Sequence, residues 1–351
     1  MLTVFSGACI WCLLGKTKHF EKRLFSHIFF KMDKMAQIND LKKSVQIRLA
    51  VTYYKKVLIV RIPSKLMETK FNPDQLNVLE LLAHEKDVCL MVAPAFVVDF
   101  NYKKFVPLMK GLGFDYVSEV TYGAKITNQN YHEYIKENKA TQKKFIASVC
   151  PMCVNIVKAK HEELTPSLLP FDSPMVVMAK VLAKLFPKNK LVFLAPCLAK
   201  KVEARQSGII DGCITFKELK EIVKIKKPVA VKGSHLFDRF YNDYTKIYPL
   251  AGGLAKTLHS KDILEKDEII SSDGINKIDP LLKNHSDKKF FDILFCDGGC
   301  IGGNGVDSSL PVFMRKYSVT SYKKHSKKEK IGQKKGLDKY SDGIDFSKKF
   351  I

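Results

Sequence analysis

The chain has 351 residues, 46% of them hydrophobic, enough to bury a sizeable core and too many for an intrinsically disordered chain. No apolar stretch approaches the roughly 18 residues that span a bilayer, so no membrane span is expected. The 59 Lys+Arg against 36 Asp+Glu leave a net charge of +23, but the lysines are spread along the chain without a base-reading motif, so no nucleic-acid partner is expected either.

Residues 1–50 read as an N-terminal extension. The first 31 carry one acidic residue, Glu21, which suits either a targeting peptide or an over-extended start ahead of Met32 and Met35. From Val57 short apolar runs alternate with helical stretches: "VLIVRI" as a strand, "NPDQLNVLELLAHE" as a helix opening near Pro73, and "DVCLMVAPAF" as a buried strand. "FVPLMKGLGFDYV" reads as a helix ended by Gly113 and then a strand, "NYHEYIKENKATQ" as a helix, and "KFIASVC" as a strand. "SPMVVMAKVLAKLF" places Ser173 at an N-cap with Pro174 at the first helical position, ahead of the strand "KLVFLAPC". "CITFKELKEIVKI" follows as strand and helix, and "FFDILFC" as a last strand. This rhythm predicts an α/β fold with mostly parallel sheets covered by helices, in which ligands gather at the carboxyl ends of strands. The segment 311–351 reads as a basic C-terminal tail, with twelve Lys/Arg and four Asp/Glu from Arg315 to Lys349.

Nine cysteines stand at positions 9, 12, 89, 150, 153, 197, 213, 296 and 300. An odd count without a secretory signal points to a reducing compartment, where thiols serve metals or catalysis. Cys150, Cys197 and Cys296 each end a predicted strand, and Cys300 follows in the glycine-rich "FCDGGCIGGNG". Three strand ends therefore bring four thiols to one crevice. Spacing alone leaves three readings open: tetrahedral zinc through the pairs Cys150/Cys153 and Cys296/Cys300, an iron–sulfur cluster, or buried structural thiols. The glycines would remove bulk around a large group, and no Lys-Ser/Thr follows them as a nucleotide loop requires. In "APCLAKK", Lys200 stands three residues after Cys197, where its charge could meet an anionic ligand of a metal centre.

"SVCP", "APCLAKKVEA" and "CDGGCIGGNG", in that order, resemble the three signatures of the hydrogen-cluster domain of [FeFe]-hydrogenases. The resemblance extends to "VAPAFVVDF", "LGFDYVSEVTYGA", Ser173-Pro174 and "AGG" at Ala251–Gly253, and covers about residues 85–310. It implies two α/β lobes within residues 51–310 and a metal cluster between them. It also implies that Cys150, Cys197, Cys296 and Cys300 ligate a [4Fe-4S] cluster, with Cys300 bridging to an attached diiron subcluster. Lys200 matches the residue that contacts a diiron cyanide. Ala93, Pro94, Pro196, Gly298 and Gly299 fall on the backbone around the group.

The departures are as informative. Catalytic members carry a cysteine directly before the first ligand as a proton relay, and here that position is Val149. "NQNYHEY" offers only Glu133 for the family's acidic helix, and Ala195 and Leu294 replace methionines that flank the cluster. There is no ferredoxin-type cysteine run. The resemblance is nearest to the short, hydrogen-sensing branch, and implies a low-turnover or sensing oxidoreductase fed by an external ferredoxin-like carrier, matured by dedicated proteins, and cytoplasmic unless the extension directs it to an organelle. The alternative is the hydrogenase-like factor of cytosolic iron–sulfur cluster assembly, whose N-terminal cysteine motif is missing between Met35 and Cys89 and whose "SPQ" is "SPM" here.

Overall fold

A computed structural model describes residues 2–5, 9–13, 50–54, 57–61, 70–240, 244–260, 263–284, 287–326 and 340–350. Most of the 1–50 extension, including most of the expected targeting segment, and the lysine-rich stretch 327–339 lie outside the described residues. The chain divides into two units, Met1–His84 and Glu85–Ile351.

In the first unit, strands β1 (Leu2–Phe5), β2 (Cys9–Leu13), β3 (Ala50–Tyr54) and β4 (Val57–Arg61) form an antiparallel sheet in the order β1-β2-β4-β3. Cys9 and Cys12 lie on β2; their side chains lie outside the described residues. Helix α1 (Pro73–His84) opens with a reciprocal cap: Asn72 Oδ1 accepts from the Gln75 amide at 3.0 Å, and Gln75 Oε1 accepts from the Asn72 amide at 2.8 Å.

The second unit holds two parallel sheets. Its elements run β5 (Val88–Val92), α2 (Tyr102–Leu112), β6 (Tyr116–Glu119), α3 (Thr121–Asn138), β7 (Phe145–Ile146), α4 (Pro151–Lys160), α5 (Pro174–Leu185), β8 (Lys190–Ala195), α6 (Ala199–Ser207), β9 (Gly212–Thr215), α7 (Phe216–Lys226), α8 (Gly253–Thr257), β10 (Ile269–Asp273), α9 (Ile275–Lys283), β11 (Phe290–Leu294) and α10 (Val312–Ser326). One sheet has the order β6-β5-β8-β9, the other β10-β11-β7. Every residue of β5 is buried, as a central parallel strand covered on both faces requires.

In the second sheet the period of two sorts β11. Phe290 and Leu294 join Phe145, Tyr131, Val149 and Tyr248 in one core cluster, and Phe291 and Ile293 join Ile146, Cys153 and Leu168 in another. Punctuation follows the sequence closely. Gly113 closes α2 with φ 121°, and Thr215 and Glu218 cap α7 reciprocally. Two extents differ from expectation. β7 is only two residues long because just past it the Ser148 amide turns from the sheet to the Tyr131 hydroxyl at 3.0 Å, and α3 begins at Thr121, nine residues before the predicted helix.

The basic C-terminal segment is not a free arm in its described parts. On α10, Val319, Tyr322 and Ser326 are buried at helical spacing. Farther on, Phe346 is buried, its carbonyl accepts from the Asp172 amide, and Ser347 bridges antiparallel to Phe171. Charge counting missed these few apolar anchors among the lysines. Among the described residues no helix is long and apolar enough to cross a membrane.

Candidate metal centre

Parallel pairing delivers three strand ends to one place. Val92 of β5 pairs with Leu194 of β8, and the Ala93 amide continues the ladder to the Leu194 carbonyl at 3.3 Å. The loops Ala93–Pro94 and Pro196–Cys197 therefore leave their sheet side by side. In the other sheet, the Ala147 amide donates to the Phe291 carbonyl at 3.0 Å just past β7, so the chain to Cys150 leaves beside the chain to Cys296. Cys150 stands at the N-cap of α4, extended at φ −99° with Pro151 behind it, which turns its side chain out of the helix.

The loop bearing Cys300 joins the two sheets. The Cys300 amide donates to the Pro249 carbonyl at 2.8 Å, and the Gly305 amide to the Pro196 carbonyl at 3.0 Å. The glycines of this loop have a packing task of their own. A Cβ on Gly299, at φ +80°, would meet the Pro249 oxygen at 2.5 Å, and one on Gly303 would meet the Pro196 oxygen at 2.3 Å. On Gly298, at φ +83°, it would meet Val312 at 2.7 Å. Their missing side chains make room for protein, which lets this loop close against two others.

The four thiols share one electrostatic neighbourhood. Cys150 is brought down to about 6, first by its hydrogen bond with Cys153 and then, against burial, by the Phe295 amide and Lys200. Burial pushes Cys197 up, Cys296 to about 12 and Cys300 well above the thiol range, and charge on Cys150 and Cys197 adds to the push on the last two. All four are free, and none is fully exposed. Cys153 is buried, donates to the Ile293 carbonyl and faces Cys150, so it packs behind the four. Cys89 and Cys213 sit within the other sheet on β5 and β9. Among the described residues no three His, Cys, Asp or Glu side chains form a group placed to hold a single metal ion.

Beside Cys300 lies a cavity of about 80 Å³. Ala93, Pro94, Val149, Pro196 and Lys200, all singled out in the sequence, line it together with Cys300. Its wall is otherwise apolar: Val120, Met175, Phe193, Pro249 and Leu294 among others, with Tyr248 the one further polar residue. Val149 is 7% exposed and belongs to the core cluster around Phe145 and Leu294, so the relay position is a packed hydrocarbon. Glu133 is exposed on α3 and lines no part of this cavity.

Lys200 Nζ donates to Glu203 Oε2 at 2.6 Å and to the Val149 carbonyl at 3.1 Å. Burial works to lower this ammonium, but Glu203, Cys197 and Cys150 hold it above its ordinary value. Sequence reasoning passed over Glu203, although the i,i+3 spacing from Lys200 on a helix was a usable signal. It also missed Tyr248 and Pro249, which come from an irregular stretch with no strand or motif to mark it.

A family model described as the iron only hydrogenase large subunit, C-terminal domain, matches residues 86–304. Iron hydrogenase 1 of Clostridium pasteurianum is 26% identical over 307 residues, covering 68% of this chain and 53% of that protein. The cytosolic Fe-S cluster assembly factor NAR1 of Yarrowia lipolytica is 27% identical over 165 residues, covering 40% of this chain and 33% of that protein. The chain thus spans about half or less of the length of these curated relatives. Among solved structures, apo [FeFe]-hydrogenase HydA1 from Chlamydomonas reinhardtii, variant C377H, superposes with a TM-score of 0.56 at 17% identity, over 69% of this chain and 88% of that one. The family match covers both parallel sheets and all three cysteine-bearing loops, and the chain belongs to this family of iron-only hydrogenase C-terminal domains.

Proposed function

We propose that Cys150, Cys197, Cys296 and Cys300 hold a [4Fe-4S] cluster, and that the cavity beside Cys300 receives an attached diiron unit, making the chain an iron–sulfur oxidoreductase of the [FeFe]-hydrogenase kind with low hydrogen turnover. The observation that carries this reading is the joining of the two features at one residue: Cys300 belongs to the group of four coupled thiols and also lines the cavity that Lys200 enters. The residues fit such a group. Thiolates suit a soft iron centre, the one cation at the wall suits anionic ligands, and the apolar remainder excludes water. A bound cluster of this type supplies one-electron chemistry. Around it, Cys150 offers a ready thiolate, Glu203 keeps Lys200 charged and aimed, and Pro249 fixes the Cys300 loop. An external ferredoxin-like carrier and dedicated maturation proteins are the partners this reading needs.

A second reading is favoured by one observation. The cavity wall at Val149 and Leu294 is hydrocarbon, so no proton-exchanging side chain stands where catalytic members place one, and a cluster assembly factor without hydrogen chemistry would not require it. Infrared spectroscopy after co-expression with maturation proteins separates the two. Bands of metal-bound CO and cyanide are expected from the oxidoreductase. Their absence from a protein holding close to four irons would select the assembly factor, and iron below one per chain would overturn both.

A further inference from the structure

Helix α10 turns the wrong residues outward. Phe313 is 71% exposed and Tyr317 72%, with Met314 and Leu310 beside them also exposed. These large side chains sit one turn apart on one face, opposite the face that buries Val319, Tyr322 and Ser326. A single exposed aromatic needs no explanation, but a contiguous patch of aromatics and methionine on a rigid helix has the composition of an interface core.

The patch is fixed in place. Arg315 donates through Nη1 to the Ile301 carbonyl at 2.9 Å, through Nη2 to the Ser308 carbonyl at 2.7 Å, and through Nε to the Leu310 carbonyl at 2.6 Å. Val312 packs on Gly298. The helix start is thus bolted onto the loop that carries Cys296 and Cys300. On the neighbouring loop, Leu198 and Val202 are half exposed just after Cys197, and the Leu198 amide donates to Asn304 Oδ1. Exposed apolar groups therefore border the loops of three of the four thiols.

Along the helix the charge has one sign, although the exposed Asp297 stands on the adjoining loop beside Gly298. From Ser308 to His325 the sequence has Arg315, Lys316, Lys323 and Lys324 and no Asp or Glu, and the exposed Lys316 flanks the face that carries Phe313 and Tyr317. Asp307, just before it, is paired with Lys220 at 3.0 Å. An acidic partner is what such a face attracts, with lysines steering it and the aromatics holding it once docked.

We propose that the outward face of α10, centred on Phe313, Met314 and Tyr317, is the docking surface for a small acidic iron–sulfur carrier protein, which passes one electron at a time to a cluster behind the Cys197 and Cys300 loops. The inference rests on the cluster reading above. In each transfer the carrier is oxidised by one electron and the cluster is reduced by one; no bond or proton changes hands.

The test uses the full chain, with and without its cluster, and an acidic bacterial-type ferredoxin as the probe. Direct binding at about 50 mM salt, the double substitution Phe313→Ser with Tyr317→Ser, and Lys316→Glu give the readouts. Both variants are expected to weaken binding at least tenfold and to slow cluster reduction by the ferredoxin, while iron content, thermal midpoint and reduction by dithionite stay as in the parent. Unchanged ferredoxin binding in both variants overturns the proposal. So does a parent dimer that the double variant converts to monomer, because the occupant is then a second copy. Failure of the cluster reading shows separately, as a chain without iron or without a dithionite-dependent signal, and the binding comparison still decides the docking face.

Discussion

Lys246 and Glu119 are each 1% exposed and form an ion pair, Lys246 Nζ to Glu119 Oε2. Tyr322 of α10 closes the group: its hydroxyl donates to Glu119 Oε1 at 2.9 Å and accepts from Lys246 at 2.6 Å, while Thr121 Oγ1 donates to Glu119 Oε2 at 3.2 Å. Every polar atom of the group is satisfied, and the group ties β6, the turn at Tyr244–Ile247 and α10 together beside Val120, which lines the cavity. Replacing Lys246 by Met keeps the volume but leaves a buried carboxylate without its cation. Breaking a buried pair from one side costs about 3–5 kcal/mol, against a typical total stability of about 5–15 kcal/mol. With an m-value near 3 kcal/mol/M, the urea midpoint is expected to fall by about 1–2 M. Removing the charge from both sides, with Glu119→Gln added to Lys246→Met, is expected to restore at least half of the loss, since the remaining polar groups can still bond one another. The assay is urea unfolding followed by far-ultraviolet circular dichroism. A loss below about 1 kcal/mol in Lys246→Met, or a double variant worse than either single one, would refute the assignment of this group as a fully buried, mutually dependent pair.

Further expectations follow from the same structure. Gly299→Ala must adopt φ +80° and place its methyl 2.5 Å from the Pro249 oxygen, so strain of about 1–2 kcal/mol and overpacking of about 1–3 kcal/mol should lower the thermal midpoint and the iron content together. Alanine at Cys150, Cys197, Cys296 or Cys300 should more than halve the iron bound after anaerobic reconstitution, whereas alanine at Cys89 or Cys213 should leave it unchanged. Asp292 is buried in β11, and burial raises its carboxyl from 3.8 to about 6 although the Ala255 and Gly252 amides donate to it. A carboxyl raised in the folded state favours folding below the unfolded value, and that contribution is lost as pH rises toward 6. At 1.36 kcal/mol per pH unit the change is on the order of 3 kcal/mol. Asp292→Asn should therefore gain stability relative to the parent between about pH 4 and pH 7, and an unchanged difference across that range would contradict the assignment.

The positions that make the site legible in sequence are those the parallel sheets fix. Cys150, Cys197 and Cys296 could be placed because a buried apolar run and its end are visible in sequence, and strand ends in parallel sheets share an edge. Glu119, Lys246 and Tyr322 could not be paired, because 127 and 203 residues separate Glu119 from its two partners and no local pattern links them. The lysine-rich end misled for a related reason. Charge dominates its composition, yet a few buried side chains, Val319, Tyr322 and Phe346 among them, anchor stretches on either side of the lysine-rich segment. The glycines of the Cys300 loop were visible, but what they make room for depends on Pro249 and Pro196, which approach from other parts of the chain.

Val149 shows how such a site can change its chemistry while keeping its fold. The four cysteine positions are tied to strand ends and to loop contacts that glycine alone permits, so altering them disturbs the packing of both sheets. The residue before Cys150 has no such obligation. It needs only to fill the space between Phe145, Leu294 and the cavity, and its own carbonyl, not its side chain, accepts the hydrogen bond from Lys200. An isopropyl group there adds about one methyl of buried apolar surface over a thiol, worth about 0.8 kcal/mol. Valine at this position therefore stabilises the core that the cysteine-bearing loops stand on. The same substitution leaves Lys200, Tyr248 and Cys300 as the groups on the cavity wall that carry an exchangeable proton. Cys300 is itself a proposed ligand; of the other two, burial holds Tyr248 protonated and Glu203 holds Lys200 charged, so neither is poised to give up a proton near neutral pH. On the reading proposed above, a cavity shaped in this way would hold a group and shield it from water while slowing proton traffic to it.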